Sequence, residues 1–474
     1  MALTNEEVLK FVKAQSIEMV DLKVLDLCGR WHHITIPTSQ LSKSTFTDGI
    51  GMDASSYPGY KKVSYGDMKI IPDNTSLIID PFHDIKTLSV VCDIFEPDGT
   101  PYLRYPRNVA KKAEQYLAST QKRIALFSPE LEFYVFDELR YTSGINQASY
   151  YLDSVEAFWN TGRQENPNLG YKFPTQAGYH GVPPADSTFN LRSKLVKFIE
   201  ESDIPVKYHH HEVGVGQVEI EVLHDTLLKS ADAVMLMKYL IKNIAHQSGK
   251  VATFMPKPLY QQAGNGMHVH QYLSNGHISL FYDKDGYASL SQLALSYIGG
   301  LLKHGPALLA FTNPSTNSYK RLIPGYEAPV NLFFAAGNRT AAVRIPMYDV
   351  NKQRVRIEFR PPDATCNPYL ALSAMLMAGL DGIENQIDPT AEGFGPFDID
   401  IAEMPEQERA NIKALPSSLQ DALDALKEDH DFLLKGEVFT EDLIDAWIEY
   451  KLNKEVNPLQ ARPHPYEFEL YSDI

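Results

Sequence analysis

Val8, Phe11 and Val12 recur at helical spacing behind a Thr4–Glu7 capping-box pair, which predicts a short helix near the start of the chain. From Met19 the period becomes two. Val20, Leu22 and Val24 alternate with Asp21 and Lys23, a turn follows near Gly29, and Trp31 to Ile36 runs back as the second arm of a hairpin. Further strand-like runs lie at Leu77 to Ile79 and Leu88 to Ile94. A turn-rich stretch from Glu96 to Pro101 closes this region, and Pro106 opens a helix whose apolar face is Val109, Ala113, Tyr116 and Leu117. The pattern predicts a small β-rich domain with one helix over 1–103 and a larger domain over 104–474. Within the second, helices are expected at Ser187–Glu201, Lys229–Gln247, Pro368–Glu384, Ser418–Asp429 and Glu441–Leu452, with strands between them. The polar, aperiodic stretch from Leu139 to Gly178 reads as a long excursion. The fold class is α+β.

Several strand-like segments carry charged or metal-binding side chains two residues apart, and residues i and i+2 of a strand share a face. They are Ser128–Phe136 with Glu130 and Glu132, Gly216–Val222 with Glu219 and Glu221, Gly266–Gln271 with His268 and His270, and Arg356–Arg360 around Glu358. His209–Val213 adds His210 and Glu212 on one face if it is extended. Taken singly, a Glu-x-Glu strand is ordinarily a solvated face, and an Arg-x-Glu-x-Arg strand a ladder of weak surface pairs. Together, each with an apolar opposite face, they are most economically arranged with their polar faces around one cavity. Carboxylates predominate, histidine is the minority ligand and cysteine is absent, which selects oxygen-preferring Mg²⁺ or Mn²⁺ over zinc. Two such ions bring +4 against −5 from five glutamates. Arg339, Arg344, Arg356 and Arg360 lie close by in sequence to balance a phosphorylated substrate. There is no Walker loop and no dinucleotide fingerprint.

The chain has 474 residues, 44% of them hydrophobic, and a formal net charge of −16. That acidity argues against nucleic acid or an anionic membrane as a partner. Cys28, Cys92 and Cys366 are widely spaced, as in a reduced, cytoplasmic protein. No signal peptide is visible, and no apolar run approaches the ~20 residues that span a bilayer.

The motifs resemble glutamine synthetase of the bacterial type I class. Phe254–Pro258 followed by Gly266–His270 is similar to that family's ATP-site signature, and Asn317–Pro329 to its substrate and flap segment. Arg356–Arg360, Asn367–Leu370, Met377–Gly382, Asp53–Ser56 and Pro463–Glu469 continue the likeness over essentially the whole chain. The resemblance implies an N-terminal β-grasp-like domain and a catalytic domain with a curved antiparallel sheet flanked by helices. It implies ATP-dependent joining of ammonia to glutamate through γ-glutamyl phosphate, with two Mg²⁺ or Mn²⁺ ions per site. It places Glu132, Glu212 and Glu219 on the first metal and Glu130, His268 and Glu358 on the second. Glutamate would meet Glu132, Gly264, His268, Arg321, Glu327 and Arg360. ATP would meet His270, Arg339, Arg344 and Arg356, and the ammonium pocket would hold Asp53, Ser56, Tyr179 and Glu212. Asp53, Glu327, Arg339 and Arg360 would be catalytic, Glu327 on a flap and Asp53 from a neighbouring subunit. The implied assembly is a homo-dodecamer of two hexameric rings with active sites between subunits, and Glu441–Leu452 is amphipathic enough to pack between the rings.

Two departures stand out. Ala263–Gly264 replaces the family's Asn-Gly, and Ala54 replaces the glycine of Asp-Gly-Ser-Ser. The competing readings are a ligase for a polyamine or other amine and a non-catalytic structural member; all six metal-ligand positions are filled, against the latter. Many type I enzymes carry an adenylylated tyrosine in the loop that is Phe394–Pro405 here, where Ala402 stands in its place. No adenylylation switch is therefore expected. Mass spectrometry of this loop should show no AMP adduct, and AMP on a nearby residue would refute the expectation.

Overall fold

The computed structural model describes residues 3–164, 167–326, 328–348, 352–399, 401–409 and 411–474; Ala402 and Glu408 are described by their backbone alone. The capping box forms at α1 (Asn5–Ala14), where Thr4 Oγ1 accepts from the Glu7 amide and the Glu7 carboxylate accepts from the Thr4 amide at 2.7 Å. The hairpin forms as β1 (Met19–Leu25) and β2 (Trp31–Pro37). Periodicity missed a second short helix, α2 (Lys43–Thr47), and the strands β3 (Ile50–Asp53) and β4 (Asp67–Pro72). With β5 (Ile78–Ile79) and β6 (Thr87–Phe95), the sheet order is β2-β1-β6-β4-β3, β5 pairing with β6.

Strand β1 lies inside this sheet, antiparallel to β2 and parallel to β6. Its polar positions are therefore buried, where strict alternation suggests a solvated face. Lys23 Nζ donates to Asp21 at 2.8 Å and to Ser89 at 2.6 Å, so the buried charge is paired and hydrogen-bonded.

Helix α3 (Pro106–Gln121) begins at the expected proline. The second sheet runs β10 (Val206–His211), β11 (Gln217–Val222), β7 (Ile124–Phe136), β14 (Val269–Ser274), β17 (Ile357–Phe359), β16 (Ala341–Ile345) and β15 (Asn331–Ala336). The short strands β12 (Asp225–Thr226) and β13 (Val251–Thr253) also pair with β7, the spine of the sheet. All pairings here are antiparallel except β15 with β16, which is parallel. The expected excursion contains a hairpin, β8 (Glu138–Ser143) with β9 (Ala148–Asp153).

The expected helices appear as α4 (Phe189–Glu201), α5 (Leu227–Gln247), α9 (Pro368–Glu384), α11 (Leu419–Glu428) and α13 (Glu441–Lys451). Helices α6 (Gln292–Lys303) and α7 (Gly305–Thr312) were not expected from the sequence; α7, buried along nearly all its length, shows no apolar stripe. Short α8 (Ser318–Arg321) carries Arg321. The amphipathic face of α13 is occupied within the chain: Leu443, Ile444 and Trp447 are buried, and Trp447 donates to the Ala310 carbonyl at 3.0 Å and stacks on Phe311. That face is not left over for packing between rings.

Fully buried Arg107 on α3 joins the N-terminal sheet to α5. It reaches Asp73 at 2.8 Å and Asp93 at 2.7 Å, and grips both oxygens of Asp232 at 3.0 and 2.9 Å. Removing one partner of a buried ion network strands the others, so Arg107→Met should cost about 3–5 kcal/mol. Denaturant unfolding checks this; a midpoint equal to that of the parent protein would refute it.

Candidate active site

Register across six adjacent strands, β10 to β16 in the sheet order, assembles the acidic cluster. Glu132 and Glu130 of β7 stand opposite Glu219 and Glu221 of β11, and His210 of β10 stands opposite Glu219. On the other side, His270 of β14 pairs in register with Glu358 of β17, and Arg344 of β16 with the same glutamate. His268 and Glu212 lie just beyond the strand ends, but the ladder persists: the Glu130 amide donates to His268 O at 2.9 Å and the Glu132 amide to Gly266 O at 3.3 Å.

Two of the groups of donor atoms that result among the described residues hold predicted ligands at the cavity, each with its atoms within 4.8 Å of one another: Glu130, His268 and Glu358, and His210, Glu212 and Glu219. Glu132 lies between them, 3.7 Å from His268 Nδ1, and its carboxylate acts electrostatically on Glu212 and Glu219. The six sequence-predicted ligands are thus brought together. His210, noted in sequence only for sharing a face with Glu212, joins them at 3.4 Å from Glu219.

The two groups differ in charge. Burial, and then the carboxylates of Glu132 and Glu219, push Glu212 well above the usual carboxylate range. Burial, and then Glu130 and Glu132, do the same to Glu219. Burial would raise Glu130 and Glu358 too, but His270 and His268 hold Glu130 well below the ordinary value, and Arg360 brings Glu358 to about 2. Arg344 also donates to Glu358, at 2.5 Å, and Arg360 donates to its other oxygen. Arginine has donors only, so His268 Nε2, 3.3 Å from Arg321, accepts and keeps its proton on Nδ1, facing Glu130. By the same reasoning His270 Nδ1 accepts from Arg356 at 3.3 Å and its Nε2 donates to Glu130 at 2.7 Å. A buried, oxygen-rich donor set whose carboxylates repel one another fits hard divalent cations.

The cluster lines a cavity of about 460 Å³, together with Tyr179, Gly264, Arg321, Arg339, Arg344 and Arg360. Gly264 is required by close packing: a Cβ there would meet Arg321 Cγ at 2.6 Å and Pro256 O at 2.7 Å. Tyr134 donates to Ala263 O at 2.7 Å and Gln217 to Gly264 O at 3.0 Å, fixing this pair from below. Arg321 already donates to the carbonyls of Pro361 at 2.6 Å and Pro362 at 3.2 Å. His270 and Arg356 are buried and do not line the cavity. Asp53, the last residue of β3, and Ser56, in the turn that follows, lie outside it, and Asp53 accepts from the Ser55 amide at 2.8 Å. Glu327 lies outside the described residues. The sequence reading did not assign Gln217, Tyr208 or Tyr348 to the cavity they line, because lone polar and aromatic residues carry no spacing signal.

A family model described as "Glutamine synthetase, catalytic domain" matches residues 103–471, and one described as "Glutamine synthetase, beta-Grasp domain" matches 16–97. Proteins named glutamine synthetase from Frankia alni and Streptomyces coelicolor are 50% and 48% identical to the chain, each over 99% of both sequences. A solved Plasmodium falciparum glutamine synthetase superposes with a TM-score of 0.88 at 26% identity over 99% of both chains. A structure titled as a GmaS/ADP complex superposes at 0.82, also at 26% identity, over the full length of both.

The raised carboxylates generate a pH prediction. A group whose folded pKa lies above its unfolded value favours the folded state below about pH 4.5, and that contribution is lost as pH rises toward the folded value. Glu212 and Glu219 should therefore destabilise the metal-free protein progressively above that pH, and a divalent ion should relieve the strain. Thermal melts should show a Mg²⁺-induced gain that grows from acid to neutral pH. A gain independent of pH, or the same gain in Glu212→Gln/Glu219→Gln, would overturn the assignment.

Proposed function

The chain belongs to the glutamine synthetase family, and from that premise we propose that the cavity between β7, β11, β14 and β17 joins ammonia to L-glutamate with ATP, giving L-glutamine, ADP and phosphate. The observation that carries this reading is the convergence of two donor groups and four arginines on one cavity.

Divalent metal and ATP serve this family; for this chain Mg²⁺ or Mn²⁺ is proposed. Glu130, His268 and Glu358 would hold one ion, and Glu132, Glu212 and Glu219 the other, with His210 beside it. When bound, the ions supply charge neutralisation at the phosphates and carboxylates. The protein's own part follows from its geometry. Arg339, Arg344 and Arg360 present guanidinium groups to the phosphoryl group as the glutamate γ-carboxylate attacks it. Gly264 and Arg321 form the wall against which glutamate sits. Ammonium must lose a proton before it can attack γ-glutamyl phosphate, and the carboxylate-rich side near Tyr179 and Glu212 both draws the cation and offers acceptors. Glu327 is proposed for the flap that keeps water from the acyl phosphate. His270 and Arg356, buried behind Glu130, act on ATP through the orientation of that glutamate.

Asp53 completes the ammonium pocket only if a neighbouring subunit supplies it, since in one chain it lies outside the cavity. We therefore take the working form as a homo-oligomer with shared sites, a dodecamer of two hexameric rings. No described helix is long and apolar enough to cross a membrane, and a cytoplasmic location fits the substrates. The division at 103/104 lies beside the junction of the two family matches.

The purified protein should form glutamine from glutamate, ammonium and ATP only with added Mg²⁺ or Mn²⁺, and should turn over putrescine far more slowly. Glu358→Gln should lower kcat/KM on the order of 10²-fold or more. Asp53→Ala should be equally impaired, yet co-assembly of Asp53→Ala with Glu358→Gln subunits should restore part of the activity. Absence of metal-dependent glutamine formation would defeat the functional reading, and failure of the mixed assemblies would defeat the shared site.

A further inference from the structure

A second cavity, of about 790 Å³, opens between the β1–β2 turn, α5, the stretch that follows β13 and the end of α13, and shares no lining residue with the active site. Its walls carry five cations, Arg30, Lys238, Lys242, Lys451 and Lys454, against one carboxylate, Glu455. That carboxylate is already taken: Lys451 Nζ lies 2.6 Å from Glu455, one helical turn away. Among the described residues, Arg30, Lys238, Lys242 and Lys454 form no ion pair.

Lys238 is the most telling of the four. Its Nζ donates to the Ala364 carbonyl at 2.6 Å, which engages one of three ammonium donors and supplies no negative charge. Burial pulls its pKa down to about 8. Lys242, on the next turn of α5, is lowered by burial and by the charge of Arg30. In a protein whose net charge is −16, four unpaired cations around one concavity are a local reversal of sign. Like charges are drawn this close at a cost that an anion would remove. Arg30 adds a planar fork suited to two oxygens of one group, and the lysines add compact point charges.

We propose that this cavity binds a small, multiply charged oxyanion, either a phosphate ester or a polycarboxylate, held by Arg30, Lys238, Lys242 and Lys454. The site shares no lining residue with the catalytic cavity, so its occupancy is read separately from the chemistry assigned there.

Lysine acylation followed by mass spectrometry tests it on the full metal-loaded protein, with inorganic phosphate and tricarballylate as probes and sodium chloride at matched ionic strength as the reference. Lys238, Lys242 and Lys454 should be acylated several-fold more slowly with a probe than with chloride, while exposed Lys284 keeps its rate. Protection by phosphate alone assigns a phosphate ester, and protection by tricarballylate alone a polycarboxylate. In Arg30→Ala/Lys242→Ala, with its melting temperature compared with that of the parent protein, protection of Lys238 should disappear. The proposal is overturned if chloride protects as well as either probe, if the double variant keeps the protection, or if the three lysines react only after the subunits are dissociated, which would make the cavity an interface.

Discussion

Five glutamates, Glu130, Glu132, Glu212, Glu219 and Glu358, are held with their carboxylates around one buried cluster, and the rest of the structure answers to their mutual repulsion. No element could hold them alone. They come from β7, β11 and β17 and from the residue beyond β10, and only the hydrogen-bonded ladder sets their spacing. The repulsion is divided unequally. The Glu130–Glu358 side has two imidazoles and two arginines and stays ionised. The Glu212–Glu219 side has His210 alone close by, and there the carboxylates are driven toward protonation. The asymmetry makes the second side the greater sink for a cation, whether metal or ammonium.

Precision at the cavity comes from hydrogen bonds in and behind its walls. Tyr134 and Gln217 hold the Ala263–Gly264 carbonyls, and Gly264 lets Arg321 approach as no side chain would allow. Buried Glu156 takes His211 Nε2 at 3.0 Å and the Gly216 amide at 2.9 Å, while His211 Nδ1 faces the Glu212 carbonyl at 2.6 Å. This bracing fixes the loop that carries Glu212. The apolar backs of the strands rest on a continuous core that includes α5 and α9. Arg107 then ties that core to the N-terminal sheet, where Asp53 lies outside its own chain's cavity.

Local periodicity made much of this legible. Helix α9 is bounded as expected because Asn367 caps it and Pro368 occupies its first turn. The Glu-x-Glu and His-x-His segments could be placed on strand faces because side-chain alternation is a property of a few consecutive residues. The same rule leaves the burial of Asp21 and Lys23 open, since alternation cannot say whether another element covers the polar face. It missed α6, and it missed α7, whose burial on nearly all sides erases the stripe. It assigned α13 a surface to share with another subunit, whereas Trp447 spends that surface on Ala310 and Phe311.

The sequence by itself determined the chemistry: which carboxylates and imidazoles stand two apart, the preference for hard cations, and the family to which the motifs belong. The tertiary structure alone decided which of those groups meet. Glu219 faces Glu132 and His210 because two strands pair in one register, and Glu358 faces His270 for the same reason. The Glu132–Glu219 and His270–Glu358 pairings join residues about 90 positions apart, and a shift of one residue would turn every ligand to the opposite face. The basic cavity around Lys238 has the same origin. Its cations come from segments far apart in the chain, and no local spacing announces them.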